Sequence, residues 1–278
     1  MPPSQSPQVS VCIPTYRGAA HIAPAVQSVL SQSLPDFELI VIDDNSPDET
    51  VDLVLGFADP RIRVLRNPTN LGPEGNWNRC LQEASGTYFK LLPQDDVLEP
   101  TCLERQVAAL ERDDRQGLAL VFCARTVVDA NGRALTVRGY PGGKEGRLDS
   151  RSLLRRCLRH GTNLIGEPGA VLFRRTLAET VGPFDATHPY VIDLDYWSRL
   201  LVHGDAYYMP DPLVSFRVSS RSWSVRIGAS QSRDFLRFMA SLASHPHYRP
   251  TPLDLVAGQT TARLNNIGRL LFYRLHLT

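Results

Sequence analysis

The sequence predicts an α/β fold, a mainly parallel sheet flanked by helices, with a helical C-terminal extension. Two observations carry this. Short β-branched runs alternate with segments of helical periodicity over the first hundred residues, and strand–helix–strand repeats of this kind make right-handed crossovers to parallel neighbours. From about Ile227 onward only helical patterning remains.

The elements follow in order. "VSVCIP" (Val9–Pro14) is short, β-branched and closed by proline, as a buried strand should be. "HIAPAVQSVLSQS" places Ile22, Val26, Val29 and Leu30 at helical spacing, with Pro24 tolerable only in its first turn. "FELIVID" (Phe37–Asp43) is a second strand, "ETVDLVLGFA" a helix and "RIRVLRN" (Arg61–Asn67) a third strand. "GNWNRCLQEAS" is a helix ending at Gly86, and "TYFKLL" (Thr87–Leu92) a fourth strand. "PTCLERQVAALERDD" opens on proline and is periodic, hence a helix. "LALVFCA" (Leu118–Ala124) is a fifth strand, and the Asn-Gly of "DANGRAL" marks a hairpin. Then come a basic helix, "RSLLRRCLRH", a strand, "GAVLFRR", and a helix, "DLDYWSRLLVHG", with Leu194, Trp197 and Leu201 on one face. "AYYMPDPLVSFRV" gives one or two short strands.

Composition bounds the class. The 278 residues are 42% hydrophobic and 21% charged, enough for a real core in one large domain or one domain with an appendage. Five cysteines show no C-x-x-C or paired spacing, which argues against zinc or redox motifs and for a reducing compartment. The N-terminus is polar and no apolar run is long enough to span a bilayer, so a cytoplasmic location is expected. The net charge of +1 hides an asymmetry: residues 1–100 carry 6 basic against 13 acidic side chains, the remainder 24 against 16. That is either surface variation or an acidic half that holds a cation beside a basic half that meets an anion or membrane surface.

Ligands of such sheets bind at the carboxyl ends of the strands, where this chain reads "PTYRG", "DDNSPDET", "NPTNLG" and "PQDDVLEP". Adjacent carboxylates such as Asp95 and Asp96 repel, and a divalent cation removes the conflict. Mg²⁺ and Mn²⁺ favour oxygen ligands, often one or two carboxylates with substrate phosphate. The competing role for this pair is to cap the helix that follows. Asp43 and Asp44 have an equivalent pair of readings, a turn or an acceptor for a nucleobase N–H. The seven histidines form no ligand spacing.

The blocks "VSVCIPTYRG", "AVQSVLSQSLPDFELIVIDDNSPDET" and "NLGPEGNWNRCLQEASGTYFKLLPQDDVLEP", in this order and spacing, resemble the start of an inverting family 2 glycosyltransferase with the GT-A fold. "GPFDATHPYVIDLDYWSRL" is similar to the acceptor region of that family. The resemblance implies a Rossmann-like mixed sheet in residues 1–225, with a nucleotide-binding half (1–100) and an acceptor half (101–225), and leaves 226–278 as the helical extension.

It further implies a divalent metal, Mn²⁺ or Mg²⁺, held directly by Asp96 at the diphosphate of a nucleotide sugar, with Asp95 near the ribose or sugar. Pro14, Thr15 and Tyr16 would line the nucleoside pocket, Asp44 would face the base, and Asn76 would join the donor site. Asp193 falls at the position of the catalytic base, with Asp195 as the reserve candidate. The implied partners are a nucleotide-diphosphate sugar, a UDP-sugar foremost, and a glycan or lipid-linked acceptor in cell-surface polysaccharide synthesis, with no nucleic acid.

Three departures from the family pattern stand out. Pro93 replaces a frequent acid, Ile192 the usual Glu before the base, and Ser219 a histidine that can join the metal. Arg217, Arg221 and Trp223 are an alternative set of groups to close over the diphosphate. Two basic segments, Arg151/Arg155/Arg159 and Arg263/Arg269/Arg274, suit either the inner face of an anionic membrane or a core-packed helix with a basic solvent side. The rival readings are a nucleotidyltransferase, for which "PTYRGAAH" is a poor phosphate loop, a phosphohydrolase, and a non-catalytic nucleotide-sugar-binding protein.

Overall fold

The computed structural model describes residues 6–113, 117–219, 225, 227–228 and 230–276. One mixed sheet organises them. Its first strands are β1 (Val9–Thr15), β2 (Phe37–Asp43), β3 (Ile62–Arg66) and β4 (Tyr88–Leu91), joined by α1 (Ile22–Leu30), α2 (Thr50–Leu55) and α3 (Gly72–Glu83). All three pairings among them are parallel, and Thr15, Asp43 and Arg66 stand side by side at the carboxyl edge.

The second half begins with β5 (Val97–Leu98) and α4 (Cys102–Glu111), then β6 (Leu118–Val128), β7 (Ala134–Arg138), β8 (Gly146–Leu148) and α5 (Ser150–His160). It continues through β9 (Val171–Arg174), α6 (Arg175–Val181), α7 (Ile192–Leu200) and β10 (Asp205–Arg217). The sheet order is β3-β2-β1-β4-β9-β6-β10-β5, with β7 added to β6 and β8 to β10. β6 and β10 pair in parallel, so the core is mostly parallel. β9 runs antiparallel between β4 and β6, and short antiparallel strands finish the far side. The predicted Asn-Gly hairpin joins β6 to β7, with Gly132 at φ +83°.

Strand alternation fills two cores. Val9, Val11 and Ile13 of β1 point to the side of α1 and α4, while Cys12 points to the side of α3, α5 and α7. All five cysteines are buried and free.

The extension is α8 (Gln231–Leu242) and α9 (Pro252–His276). It is packed against the sheet domain. Asp254, fully buried, accepts from Arg155 Nε at 2.7 Å and from Arg159 Nε and NH2 at 3.0 and 2.5 Å. Arg151 Nε donates to the His247 carbonyl at 2.7 Å, and Tyr248 OH donates to the Ser198 carbonyl. The basic face of α5, expected as a candidate membrane surface, is therefore the seat of the extension. α9 also covers the end of α5: Thr261 and Asn265 donate to the Arg159 and His160 carbonyls at 2.8 and 2.7 Å. The chain turns away at Gly161, φ +61°, where a Cβ would collide with the Ala262 backbone. No helix among the described residues is long and apolar enough to cross a membrane.

Candidate active site

β4 ends at Leu91, Leu92 extends the ladder by donating to the Cys12 carbonyl at 2.8 Å, and the chain then turns through Pro93 and Gln94 into Asp95 and Asp96. β5 follows at once and pairs antiparallel with the end of β10. This pins Asp96 in place: the Arg217 N–H donates to its Oδ1 at 3.0 Å. Asp96 is fully buried, and its Oδ2 has no hydrogen-bond partner among the described residues. Burial and the neighbouring Asp95 charge push its pKa well up, and burial raises Asp95 as well. Neither residue caps a helix, since α4 starts after Thr101.

A buried carboxylate with a bare oxygen beside a second carboxylate suits a hard divalent cation. Among the described residues no group of three or more His, Cys, Asp or Glu is gathered to cage one. Such a pair would supply one or two carboxylates and leave the remaining positions to phosphate and water, the habit of Mg²⁺ and of Mn²⁺ at phosphates.

At the end of β1, Thr15 Oγ1 and the Tyr16 N–H both donate to Gln94 Oε1, the latter at 2.9 Å, and Gln94 Nε2 returns a bond to the Tyr16 carbonyl at 3.2 Å. Gln94 therefore ties the "PT-Y" shelf (Pro14–Tyr16) to the Asp pair. Gly18 sits where a Cβ would strike both Thr15 Oγ1 and Gln94 Oε1. The Tyr16 side chain is 41% exposed on this shelf. Asp44 is buried and accepts from Asn67 Nδ2 (2.6 Å), the Leu71 N–H (2.8 Å) and the Gly72 N–H (2.9 Å), which fixes the start of α3. Asn76 is buried behind this layer. Its Nδ2 donates to the Ile42 carbonyl at 3.0 Å and its Oδ1 accepts from Asn67 at 3.1 Å, so the amide braces β2 and Asn67, the partner of Asp44.

A cavity of about 1010 Å³ opens beside the Asp pair, lined by Asp95, Arg125, Asn163, Glu167, Asp193 and Arg217 among others, with Leu264, Arg269, Phe272 and Tyr273 of α9 as one wall. Asp193 stands in the first turn of α7. Its Oδ2 accepts from Asn163 Nδ2 at 2.9 Å and its Oδ1 from the Leu194 N–H at 2.7 Å. Asn163 is itself set by the Gly166 loop, its Oδ1 accepting the Ile165 and Gly166 N–H groups at 3.0 Å. Burial, then the Glu167 charge, pushes the pKa of Asp193 up to about 7. Glu167 makes an ion pair with the buried Arg125 at 2.6 Å, and its charge also raises Asp96.

Asp195 points elsewhere, to Arg199 at 3.0 Å, and does not line the cavity. The Arg217 guanidinium is bound to the Asp95, Asp129 and Ala130 carbonyls at 3.1, 3.0 and 2.9 Å. It braces the Asp pair from the side of β10 and the β6–β7 turn. Arg221 and Trp223 lie outside the described residues. Gln94, Asn163 and Glu167 are site residues that sequence reasoning missed.

The family model for glycosyl transferase family 2 matches residues 10–182, more than half of the chain. This chain belongs to that family. Among family 2 and other relatives, an uncharacterized protein of Mycobacterium tuberculosis is 32% identical over 81% of this chain and 72% of its own length. An uncharacterized glycosyltransferase of Rickettsia typhi is 29% identical over 77% of this chain and 64% of its own length, so this chain spans under two thirds of that relative. The Escherichia coli enzyme UDP-Glc:alpha-D-GlcNAc-diphosphoundecaprenol beta-1,3-glucosyltransferase WfgD is 36% identical over 38% of this chain and 42% of its own. Staphylococcus aureus TarS 1-349 in complex with UDP-GlcNAc superposes with a TM-score of 0.67 at 19% identity, covering 85% of this chain and 65% of that one. The Pyrobaculum calidifontis mannosyltransferase PcManGT, in complex with GDP-Man and Mn²⁺, gives 0.63 at 18% identity over 99% and 77%. These two show a shared GT-A fold.

Proposed function

We propose that this family 2 protein is a metal-dependent inverting glycosyltransferase. It moves a sugar from a nucleotide-diphosphate sugar, foremost a UDP-sugar, to the hydroxyl of a glycan or lipid-linked acceptor in cell-surface polysaccharide synthesis. The observation that carries this reading is that Asp95 and Asp193 line one cavity: Asp95 adjoins the buried Asp96 with its bare oxygen, and burial pushes the pKa of Asp193 up to about 7.

Asp96 would hold Mn²⁺ or Mg²⁺ directly through Oδ2, with Asp95 beside it. A divalent cation here neutralises charge on the departing diphosphate. Tyr16, with Pro14 and Thr15, frames the nucleoside. Asp44 Oδ2 has one partner and so keeps a lone pair for a base N–H, while Asn76 keeps that corner rigid. Asp193 takes the proton from the acceptor hydroxyl as that oxygen attacks the anomeric carbon from the face opposite the leaving group. A base with pKa near working pH suits this task. The names of TarS, PcManGT and WfgD attach UDP-GlcNAc, GDP-Man and UDP-Glc to similar proteins, which supports a nucleotide-sugar donor.

The test is calorimetric binding of UDP, GDP and dTDP, with and without Mn²⁺, to the wild type and Asp96→Ala. Metal-dependent binding of one nucleotide, lost in the variant, is the expected result. Folded protein that binds none of them sinks the reading.

A further inference from the structure

We propose that the outer face of α9 rests on an anionic lipid bilayer and presents the mouth of the active-site cavity to it. The acceptor would then be a saccharide on a membrane-embedded lipid carrier. This deepens the glycosyltransferase reading and rests on it for the acceptor.

The inner face of α9 is committed to the fold through Asp254, Ala262, Asn265 and Arg269, the last donating to Gln231 Oε1 at 2.6 Å. Its outer face carries exposed apolar side chains on either side of Gln259 and Thr260: Leu253, Val256, Leu264, Ile267 and Leu271 are 66, 63, 60, 56 and 53% exposed. Scattered exposed leucines need no explanation, but a stripe along five turns of one helix does. The charge on this face has one sign. Arg263 is exposed on it, and Asp254, buried under two arginines, is the helix's sole carboxylate. An apolar face carrying arginine without acid matches an anionic membrane surface.

Continuity with the cavity is the second argument. Leu264 and Gly268 both line the cavity and lie on the outer face of α9. Across the mouth, Val137 and Arg138 of β7 line it too, and Val137 is 59% exposed. Both lips thus combine exposed apolar side chains with basic residues nearby. A bilayer touching them would keep a lipid tail in the membrane while its sugar enters toward Asp193.

The test is flotation with vesicles of phosphatidylcholine alone and of roughly two parts phosphatidylcholine to one part phosphatidylglycerol. The wild type is compared with Ile267→Glu/Leu271→Glu, two exposed positions whose change leaves the core intact, as checked by thermal melting. The expected result is association with the anionic vesicles that falls about tenfold or more in the double variant and weakens with salt. Wild type that fails to float, or a variant that floats equally well, overturns the proposal. So does a solution dimer that the double variant converts to monomer, since the face would then belong to a second copy. Mn²⁺-dependent nucleotide binding is measured on the same samples. Its retention alongside failed flotation refutes the membrane face alone, and its loss alongside intact flotation refutes the donor-site reading alone.

Discussion

The Arg217 N–H and the Asp96 carboxylate meet at 3.0 Å across 121 positions of sequence, and this one bond holds Oδ1 while Oδ2 stays bare. The end of β10 thus fixes the metal candidate at the end of β4. Asp96→Asn keeps the shape and loses the charge. It should cost roughly two orders of magnitude in Mn²⁺-dependent nucleotide affinity, because cation coordination at phosphate is worth several kcal/mol. Calorimetry with and without Mn²⁺ reads this directly.

The same substitution should stabilise the metal-free fold. Burial and Asp95 raise the pKa of Asp96, so its ionised form opposes folding. Its contribution is therefore favourable below the ordinary carboxylate range and lost as pH rises through the raised value. At pH 8 without metal, Asp96→Asn should melt higher than wild type, by about 2–4 °C for each kcal/mol relieved. An unchanged or lower melting temperature would mean that the pair is not under electrostatic strain.

Asp193 and Glu167 make a prediction about rate. With Asp193 at about 7, kcat/KM should rise with pH and level off above neutrality, since only the ionised carboxylate can accept the proton. Asp193→Asn should lower kcat by roughly 10²–10⁴ while leaving nucleotide binding intact. The Glu167 charge pushes Asp193 up, so Glu167→Gln should move the acidic limb of the profile to lower pH. A limb that stays in place would show that Glu167 acts through Arg125 alone.

Gln94 ties Thr15 and Tyr16 to the loop that carries the Asp pair by three hydrogen bonds. Gln94→Ala should raise the dissociation constant for the nucleotide about tenfold, the worth of one or two such bonds, and lower the melting temperature by a few degrees, about 2–4 °C for each kcal/mol lost. Fluorescence or calorimetric titration of the nucleotide measures the first, and a thermal scan the second.

How much of this was legible depends on whether the signal is local. β2 falls on Phe37–Asp43 as predicted because a β-branched run bounded by polar turns carries its own evidence. β10 was harder: its sequence left one or two short strands open, and register shifts around Pro212 let a single strand run from Asp205 to Arg217. β5 has two residues and α6 begins directly after β9, so neither presents a full period. The candidates Asp96 and Asp193 were named through family resemblance. Glu167 and Asn163 were not, being single polar residues in loops whose meaning arises only when β9, α7 and the cavity meet. The arginines of α5 were visible, but their partner Asp254 lies 95 and 99 positions away.

Asp254 makes the sharpest claim about the extension. It accepts from Arg155, Arg159 and both the N–H and Oγ1 of Thr251, and these bonds hold its pKa well below the usual carboxylate range despite burial. A depressed pKa contributes stability that is present above the ordinary carboxylate value and lost as pH falls through the depressed one. At neutral pH the whole contribution is in force. Asp254→Ala should therefore destabilise the docked extension by about 2 kcal/mol. That is below the loss for a fully buried pair, because the arginine side chains keep 30% and 50% of their exposure. Because α9 forms a wall of the cavity, its loosening should raise the KM for acceptor while Mn²⁺-dependent nucleotide binding is unchanged. Limited proteolysis between α8 and α9 should accelerate in step. If acceptor KM stays fixed while proteolysis accelerates, α9 covers the site without contributing to acceptor binding.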